Sequence, residues 1–314
     1  MKHSIQNQHL ILCVKEHGAE LCSLKYHQEQ GRHVYYPADI ASNQPAGEMP
    51  ATELLWQGNP KYWAGQSPVL FPTVGRVFDD TIRCLGQTYT MPKHGLVKDL
   101  DFRLTKQDKD TLSLTANSTE QTLKHFPYPF RLTVSYQLNG KQVRVTFTVE
   151  NLSDMAMPFH LGAHPALNLP NFSEQDERHG YLGFDVHDEL VSNGLKSGGY
   201  LWPEGSFSVP LDPHGLLPLT NTTFLCDTIL DSRALAHACT LYNKEKEPIL
   251  RVDFDSPILA LWAPNGGCAP FVCIEPWWGC CDETNYTGEF AERPWTNTVD
   301  PHKAMSINYT ITVI

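Results

Sequence analysis

The feature that most constrains the fold is a strict alternation of apolar and polar residues on both sides of a short turn. Apolar residues occupy every second position of 132–138 and again of 143–149, and Asn139-Gly140 lies between the two runs. Successive side chains of a strand point to opposite faces, so each run predicts a half-buried strand. Asn-Gly is the preferred pair for a two-residue type I′ turn, because both turn positions need positive φ. The segment therefore predicts an antiparallel hairpin that turns at Asn139-Gly140.

The same period of two recurs along the chain, and Gly and Pro interrupt it every few residues. Further alternating runs lie at 112–115, 207–211, 250–254 and 307–313. The 21 Gly and 23 Pro residues mark turns and strand ends. A single short helix is expected near Ser118–His125, ended by Phe126-Pro127. We therefore predict an all-β protein, an antiparallel sandwich or barrel.

No low-complexity linker divides the 314 residues, so we expect one domain that spans residues 1–314. Tyr35–Thr52 contains three prolines and a glycine, which predicts a long surface loop between early strands. Pro165–Ser206 is rich in Pro, Asn, Asp and Gly, and we expect it to cross the surface as irregular loops.

Charge and hydropathy exclude several classes of partner. The formal charge of −11 argues against a nucleic acid or an anionic membrane surface as a partner. No apolar run reaches the ~18 residues of a membrane span, and residues 1–8 lack the apolar core of a signal peptide. We therefore expect a cytoplasmic location. The nine cysteines have no regular spacing, and the cluster within Cys268–Cys281 lacks a Cys-x-x-Cys pair, which favours reduced thiols over a metal or redox role.

A carboxylate near the C-terminus is the first candidate for chemistry. The apolar run Phe271–Ile274 predicts a buried strand, and Glu275 follows it directly. A carboxylate at the end of such a strand loses solvation, which raises its pKa toward the range useful for proton transfer. Trp277 and Trp278 follow and offer flat rings for the C–H face of a sugar. The alternative is a capped strand end whose tryptophans fill the core.

Three histidines lie in segments rich in Gly and Pro. His160 and His164 are four residues apart, a spacing that binds zinc on a helix, but Gly162 and Pro165 argue against a helix here. No third ligand is adjacent, so no metal site is predicted. His94 lies in the separate segment 91–95. The chain has neither a Gly-rich phosphate loop nor a Gly-x-Ser-x-Gly elbow, which argues against nucleotide enzymes and serine hydrolases.

Arg76 follows an apolar run and Gly75. An arginine placed in this way donates a fork of hydrogen bonds to hydroxyl or carboxylate groups. A surface ion pair is the alternative for the same residue.

Four segments, taken in order, carry a resemblance to a known family. They are Ser-Pro-Val-Leu-Phe-Pro-Thr-Val-Gly-Arg (67–76), Met-Pro-Lys-His-Gly-Leu (91–96), Gly-Ala-His-Pro-Ala-Leu-Asn (162–168) and Ile-Glu-Pro-Trp (274–277). Together they resemble the aldose 1-epimerase, or galactose mutarotase-like, family, and most closely its branch encoded in bacterial lactose operons. Similarity at Gly18–Leu21 and in the Trp56–Trp63 segment extends the resemblance over most of the chain. It implies a single large antiparallel β-supersandwich with a sugar cleft on one face.

The resemblance also implies an activity and its residues. The activity is the cofactor-free interconversion of the α and β anomers of an aldose, the small-molecule partner. Glu275 matches the general base, His164 the general acid, and His94 the second histidine of the site. The residues expected to hold the sugar are Arg76, Asp227, Asn168 and Trp277.

The chain departs from the family pattern in the segments that form the cleft walls. Lys93 and Lys98 stand where the pattern has Gln and Arg, and Leu96 and Leu167 where it has aromatic residues. These differences bear on the identity of the substrate more than on the chemistry. A hexose phosphate is therefore one alternative substrate, with Lys93 or Lys98 serving the phosphate.

Two other function classes stay open on the residues alone. A glycosidase needs two carboxylates that flank one bond, and Glu275 with Asp282 or Asp227 would supply them. A non-catalytic sugar-binding module would account for the tryptophans but not for two histidines that meet one glutamate.

Overall fold

A computed structural model describes residues 1–27, 51–186 and 189–314. In these ranges most of the regular secondary structure is β-strand, as the alternation of apolar and polar residues predicts. The strands of the N-terminal half are β1 (Lys2–Gln6), β2 (Leu10–Lys15), β3 (Leu21–His27), β4 (Ala51–Glu53), β5 (Val69–Leu70), β6 (Thr81–Cys84), β7 (Gln87–Thr90), β8 (Arg103–Gln107), β9 (Thr111–Asn117), β10 (Phe130–Asn139) and β11 (Gln142–Asn151). Those of the C-terminal half are β12 (Met157–Phe159), β13 (Leu161–Ala163), β14 (Ala166–Asn168), β15 (Arg178–Phe184), β16 (Val191–Lys196), β17 (Tyr200–Ser208), β18 (Leu216–Thr220), β19 (Ile229–Asp231), β20 (Ala238–Tyr242), β21 (Pro248–Phe254), β22 (Ile258–Trp262), β23 (Phe271–Trp278), β24 (Asn297–Val299) and β25 (Ala304–Val313).

Helical structure in the described residues consists of single turns. The helix α1 covers Glu120–Leu123, and Thr119 caps it by accepting the Thr122 N–H at 3.2 Å. It is shorter than the predicted Ser118–His125, because the backbone after Leu123 continues as turns, in which the His125 N–H donates to the Thr122 carbonyl oxygen at 3.0 Å. Short 3₁₀ turns cover Phe78–Asp80, Val97–Asp99, Asn265–Gly267 and Phe290–Glu292. None of these helices has the length and apolar character that crossing a membrane requires.

Two large antiparallel sheets dominate the architecture. The first has nine strands in the order β18-β15-β20-β21-β25-β11-β10-β9-β8. The second has the order β19-β22-β23-β13-β5, with β14 also paired to β23. A four-stranded sheet of β1 to β4 accompanies them. One continuous apolar core includes Leu12, Val134 and Ile274, which come from three different sheets. The predicted all-β, antiparallel fold class is confirmed.

The central hairpin forms as the alternation predicted, with a shift at its turn. Strands β10 and β11 pair over their whole length, and the apolar residues of each are buried while their neighbours face outward. Asn139 pairs with Gln142, so the turn residues are Gly140 and Lys141 and not Asn139-Gly140. Gly140 has a φ of 58°. The first turn position has a positive φ and therefore favours glycine. As a result, strand β10 extends one residue further than predicted.

One of the two loop predictions is wrong, and the other concerns a segment that lies mostly outside the described residues. Pro165–Ser206 was expected to be irregular, but it contains β14, β15, β16 and most of β17. Its Gly, Asn and Pro residues interrupt the alternation of apolar and polar side chains. The segment nevertheless forms strands, because its backbone pairs with neighbouring strands. The expected loop Tyr35–Thr52 lies outside the described residues except for its last two, which belong to β4.

Strand β23 is the element that positions the candidate site. All eight of its residues are buried. It lies between β22 on one side and β13 and β14 on the other. Glu275 pairs with Ala260 in the interior of the ladder, and the strand continues through Trp278. The prediction that Glu275 ends the strand is therefore wrong: the carboxylate is set in the middle of a fully buried strand.

Candidate active site

A cavity of 720 Å³ brings three of the predicted residues together. Glu275, His164 and His94 all line it. They come from different elements: Glu275 from the interior of β23, His164 from the residue after β13, and His94 from the loop after β7. Pairing of β13 with both β23 and β5 draws these elements into one place.

Glu275 is removed from solvent and held by two nitrogen atoms. Its side chain is 1% exposed. Oε2 accepts a hydrogen bond from Trp277 Nε1 at 3.2 Å and lies 3.2 Å from His164 Nε2. Burial raises the pKa of Glu275 well above its usual value, against the opposing effects of the Lys93 charge and the Trp277 hydrogen bond. A carboxyl group in such surroundings is held toward its protonated form, a perturbation that is typical of candidate catalytic groups.

His164 lies between aromatic walls. Its ring stacks on Trp63 at a centroid distance of 4.8 Å and meets the edge of Trp262 at 5.8 Å. Burial lowers the pKa of His164 to about 3. Nε2 faces Glu275, and Nδ1 has no hydrogen-bond partner in the described part of the chain. The imidazole is therefore neutral at rest, next to a carboxyl group whose charged form is also disfavoured.

His94 is fixed in position and in tautomer by Gly75. The backbone N–H of His94 donates to the Gly75 carbonyl at 2.8 Å, and the Gly75 N–H donates to His94 Nδ1 at 3.2 Å. Since Nδ1 accepts, the proton of the neutral ring is on Nε2, which is left as a donor. Burial, the nearby His164 and two lysine charges lower the pKa of His94 well below its usual value. The ring packs edge-on against His164 at 5.7 Å.

Gly95 explains why this loop sits so close to the sheet. Its φ is +75°, and a Cβ atom there would lie 2.2 Å from the Phe71 carbonyl oxygen. Leu96 N–H donates to that same oxygen at 2.7 Å. Only glycine combines this backbone conformation with this close approach, so the Lys93-His94 segment is held rigidly against the end of β5.

Two of the four residues predicted to bind the sugar line the cavity. Trp277 does so from β23, and Asp227 from a loop, where its backbone has a φ of 72° and its side chain is exposed. Arg76 does not line the cavity: its Nε lies 3.5 Å from the Asp80 carboxylate, the ion pair that was the alternative reading.

The structure does not support the prediction that Asn168 binds substrate. The residue is buried in β14, and its side-chain nitrogen donates to the carbonyl oxygens of Glu53 and Leu55, both at 3.0 Å. These bonds link β14 to the chain after β4, and the side chain does not line the cavity. Its place in the matched segment reflects a structural role.

Several residues of the site were missed by sequence reasoning. Trp63 and Trp262 form the aromatic walls of the cavity, and Trp63 belonged to a matched segment without a role assigned to it. Cys273 is the third donor that the sequence did not supply: His164, Cys273 and Glu275 offer N, S and O atoms within 4.8 Å of one another. The period of two in a strand places Cys273 and Glu275 on one face, which is the signal that identifies them.

The other cysteines form no metal-ligand cluster with the residues that the structure describes. All nine are free thiols. Within the cluster that the sequence singled out, Cys280 and Cys281 place their sulfur atoms 3.9 Å apart, and Cys281 lines the cavity. The hydrogen bond with the neighbouring Cys281 thiol, together with burial, raises the pKa of Cys280 and keeps it protonated.

A glycosidase mechanism would need Asp282 or Asp227 as a second carboxylate beside Glu275. The carboxylate of Asp282 is hydrogen-bonded outside the cavity. Its carboxylate accepts from Arg293 at 2.6 and 2.8 Å and from the Phe78 N–H at 2.8 Å. Asp282 is 4% exposed and does not line the cavity. It serves to anchor the loop that follows Arg76 and is not a second catalytic carboxylate.

Comparison with known proteins agrees with this geometry. The aldose 1-epimerase family profile matches residues 38–312. The chain belongs to the aldose 1-epimerase family. It is 28% identical to the chromosomal and plasmid LacX proteins of Lactococcus lactis subsp. lactis over 322 residues, an alignment that covers all of both chains.

Solved structures share the fold over nearly the whole length. A galactose mutarotase related enzyme from Lactobacillus acidophilus has a TM-score of 0.84 at 26% identity, covering 100% of this chain and 97% of that one. A galactose mutarotase-like protein from Lactobacillus casei has a TM-score of 0.86 at 24% identity, with both chains fully covered. The galactose mutarotase-like β-supersandwich that the resemblance implied is confirmed.

Proposed function

We propose that this member of the family is a mutarotase, which interconverts the α and β anomers of an aldose by general acid–base catalysis. The observation that carries the proposal is the contact between His164 Nε2 and Glu275 Oε2 at 3.2 Å, inside a cavity that His94 also lines. A base and an acid that reach one small volume are what ring opening requires. Family membership supports the same reaction class.

Burial disfavours the charged form of each partner, so the favoured state of the pair holds one proton that can pass between Glu275 and His164. In the productive form this proton is on His164 Nε2, and Glu275 is a carboxylate. Glu275 removes the proton of the C1 hydroxyl, and the O–H electrons form the C1=O bond. The bond between C1 and the ring oxygen breaks, and the ring oxygen takes the proton of His164.

The open aldehyde then rotates about C1–C2 and closes with its other face exposed to attack. At this stage Glu275 holds a proton and His164 is neutral, so the two groups exchange roles for closure. Closure regenerates the starting pair without any cofactor or net proton change. The Nε2–H of His94 is available to stabilise negative charge that develops at the ring oxygen.

The remaining cavity residues suit the binding of a sugar. Trp277, Trp63 and Trp262 offer flat apolar faces for its C–H groups, and the exposed carboxylate of Asp227 offers acceptors for its hydroxyl groups. A cavity of 720 Å³ has the size of a small-molecule site.

Optical rotation of freshly dissolved α-glucose and α-galactose tests the proposal. The protein should accelerate the approach to the equilibrium mixture in proportion to its concentration. Release of nitrophenol from nitrophenyl glycosides should be absent. Sugar binding without any acceleration, for any aldose tried, would overturn the proposal and favour a binding module.

A further inference from the structure

Cys280 and Cys281 place two adjacent thiols at the wall of the cavity. Their sulfur atoms lie 3.9 Å apart, and neither cysteine is in a disulfide. Cys281 lines the cavity, so a small molecule that enters there meets this residue. Cys280 is buried and does not line the cavity. The proposed acid–base mechanism uses neither thiol, so the pair is free to serve another chemistry.

The chain is anchored on both sides of the pair. Gly279 packs so closely on His160 that a Cβ atom there would lie 2.3 Å from the histidine side chain. On the other side, the Asp282 N–H donates to the Arg76 carbonyl oxygen at 2.9 Å, and the Asp282 carboxylate accepts from Arg293. The two thiols are therefore held beside each other. A bond between them would form by movement of the two cysteines within a fixed frame.

Cys281 also contacts the residue that holds His94. A Cβ atom on Gly75 would lie 2.6 Å from the Cys281 Cβ atom, and Gly75 has a φ of +68°, so this position favours glycine. Gly75 in turn bonds to His94 twice, through its carbonyl oxygen and through its N–H. A continuous set of contacts thus connects the thiol pair to the His94 imidazole, and a shift of Cys281 would displace that imidazole.

We propose that Cys280 and Cys281 form an oxidation site, at which a peroxide that enters the cavity produces a disulfide and thereby inactivates the protein. The loss of activity rests on the proposed mutarotase function, whereas formation of the disulfide does not. The cysteine that lines the cavity reacts first, and its buried neighbour completes the bond.

The reaction consumes one hydrogen peroxide and two thiols. The Cys281 thiolate attacks one oxygen of the peroxide, the O–O bond breaks, and the departing hydroxide takes the proton that the thiol gave up, forming water. Cys281 is now a sulfenic acid. The Cys280 sulfur attacks the Cys281 sulfur, the S–O bond breaks, and the departing hydroxide takes the Cys280 proton as a second water. Two thiols are oxidised to one disulfide, and the peroxide is reduced to two waters.

The disulfide should be readily reduced again. Cα atoms of neighbouring residues lie ~3.8 Å apart across a trans peptide, whereas disulfides usually span ~4.4–6.8 Å. A bond between adjacent cysteines is therefore strained, and strained disulfides are the labile and regulatory ones. A thiol reductant should return the pair to its resting state and restore the position of His94.

The experiment treats the protein with hydrogen peroxide, removes the excess with catalase, and measures kcat by polarimetry before and after reduction with dithiothreitol. Free thiols are then alkylated, and mass spectrometry of the peptide that contains both cysteines reports whether it has lost two hydrogen atoms. We expect kcat to fall by about 10²-fold, the loss that follows displacement of a catalytic group by about 1 Å. Dithiothreitol should reverse both changes.

Cys280→Ser removes the second thiol and leaves Cys281 in the cavity wall. Before treatment it should have wild-type kcat, and peroxide should then change kcat little, because no disulfide can form. In a separate sample dimedone should label Cys281 of this variant, since its sulfenic acid persists. Cys280→Ala is the second variant, because it buries no hydroxyl group.

Cys13→Ser is the matched control, because Cys13 belongs to the other pair of thiols in contact. The hydrogen bond with Cys22 lowers the pKa of Cys13 to about 7, which makes it the competing site of oxidation. Cys13 lies in β2 and does not line the cavity. Cys13→Ser should be inactivated by peroxide in the same way as the wild type.

The outcomes separate the site from the function. Reversible inactivation together with the loss of two hydrogen atoms from the peptide of Cys280 and Cys281 supports the proposal. A disulfide there with unchanged kcat would overturn the link to His94. Equal inactivation of Cys280→Ser, or protection by Cys13→Ser, would overturn the site. Failure of the untreated protein to accelerate anomer exchange would refute the mutarotase function instead, and the mass of the peptide would still test the disulfide.

Discussion

His164 Nε2 lies 3.2 Å from Glu275 Oε2, and the exposed fractions of the two side chains are 10% and 1%. In water these groups would be oppositely charged between about pH 4.3 and 6.5. In this cavity burial lowers the pKa of the imidazole and raises that of the carboxyl group, so each loses its preference for the charged form. The pair shares one proton that either partner can hold, and the first two predictions depend on this property.

Glu275→Gln should abolish most turnover without preventing sugar binding. Glutamine keeps the shape of the side chain and its contact with Trp277 but cannot accept a proton. We expect kcat to fall by roughly 10²–10⁴-fold, with KM changed far less. Polarimetric kcat and the melting temperature, measured on the same preparation, check this.

Glu53→Gln is the matched control for that variant. Glu53 is also buried, and burial raises its pKa too, but its oxygens accept from Ser23 Oγ and from the N–H groups of Leu24 and Leu55, away from the cavity. It should lower the melting temperature and leave kcat per folded molecule near that of the wild type. A stably folded Glu275→Gln protein with wild-type kcat would remove the general-base assignment.

The pH profile of kcat should show no inflection near pH 6.5, where a solvated imidazole titrates. A histidine whose pKa is lowered stays neutral as the pH falls through 6.5. The pair of His164 and Glu275 binds a second proton only near pH 3, where His164 titrates. The shared proton is lost only above the raised pKa of Glu275. Rates measured between pH 5 and 7, on protein shown to be folded by circular dichroism, should therefore show no decrease from the titration of His164. An acid limb with its midpoint near 6.5 would contradict this protonation scheme.

Chelation should leave the mutarotase activity unchanged, because the proposed acid and base are side chains. The test has force because His164, Cys273 and Glu275 form a donor set close enough to share an ion. Dialysis against EDTA followed by polarimetry measures the effect. If activity were lost and a divalent ion restored it, Cys273→Ser would then show whether the thiol is a ligand, and the metal-free mechanism would be abandoned.

The sequence was sufficient to predict the fold class and the three residues that meet in the cavity, for different reasons. Alternation is a local signal, so β10 and β11 could be read directly from residue order. The meeting of His94, His164 and Glu275 is not local, because it depends on how β5, β13 and β23 pair. Only the ordered segments of a known family could supply that information.

The errors have equally physical causes. Asn168 lies in a matched segment, but residue identity does not reveal that its amide nitrogen is occupied by two carbonyl groups. Strands β15 to β17 were missed since their Gly, Pro and Asn residues hide the alternation. Glu275 was placed at a strand end because the apolar run Phe271–Ile274 stops before it, whereas the pairing with β22 continues beyond it.

His160 should make the stability of the protein depend on pH. Burial lowers its pKa to about 3, its Nε2 lies 3.0 Å from Thr296 Oγ1, and Nδ1 has no partner in the described chain. Below pH 6.5, His160 binds a proton in the unfolded state but stays neutral in the folded state. Stability is therefore lost as the pH falls from 6.5 toward 3, by about 1.4 kcal/mol per pH unit for this one group.

Urea unfolding of His160→Gln between pH 5.5 and 4.5 measures that contribution. The variant should be less stable at pH 7 but should lose about 1.4 kcal/mol less per pH unit than the wild type. His302→Gln, which removes an exposed histidine paired with Asp154, is the control and should keep the wild-type slope. An unchanged slope in His160→Gln would mean that this histidine is protonated in the folded protein.

Asp282→Asn should destabilise the protein without touching the reaction. The carboxylate neutralises Arg293, whose side chain is 3% exposed, and also holds the Phe78 N–H. Asparagine keeps the volume but leaves a buried guanidinium without its counter-charge, which costs about 3–5 kcal/mol.

Asp108→Asn breaks the exposed pair with Lys106 and should cost less than about 1 kcal/mol. Chemical denaturation gives both values, and polarimetry at a temperature where both variants are folded should give wild-type kcat, since Asp282 does not line the cavity. If Asp282→Asn were stable but inactive, Asp282 would have to act in catalysis beside Glu275. The two-carboxylate mechanism of a glycosidase would then replace the histidine–glutamate pair as the better account of the site.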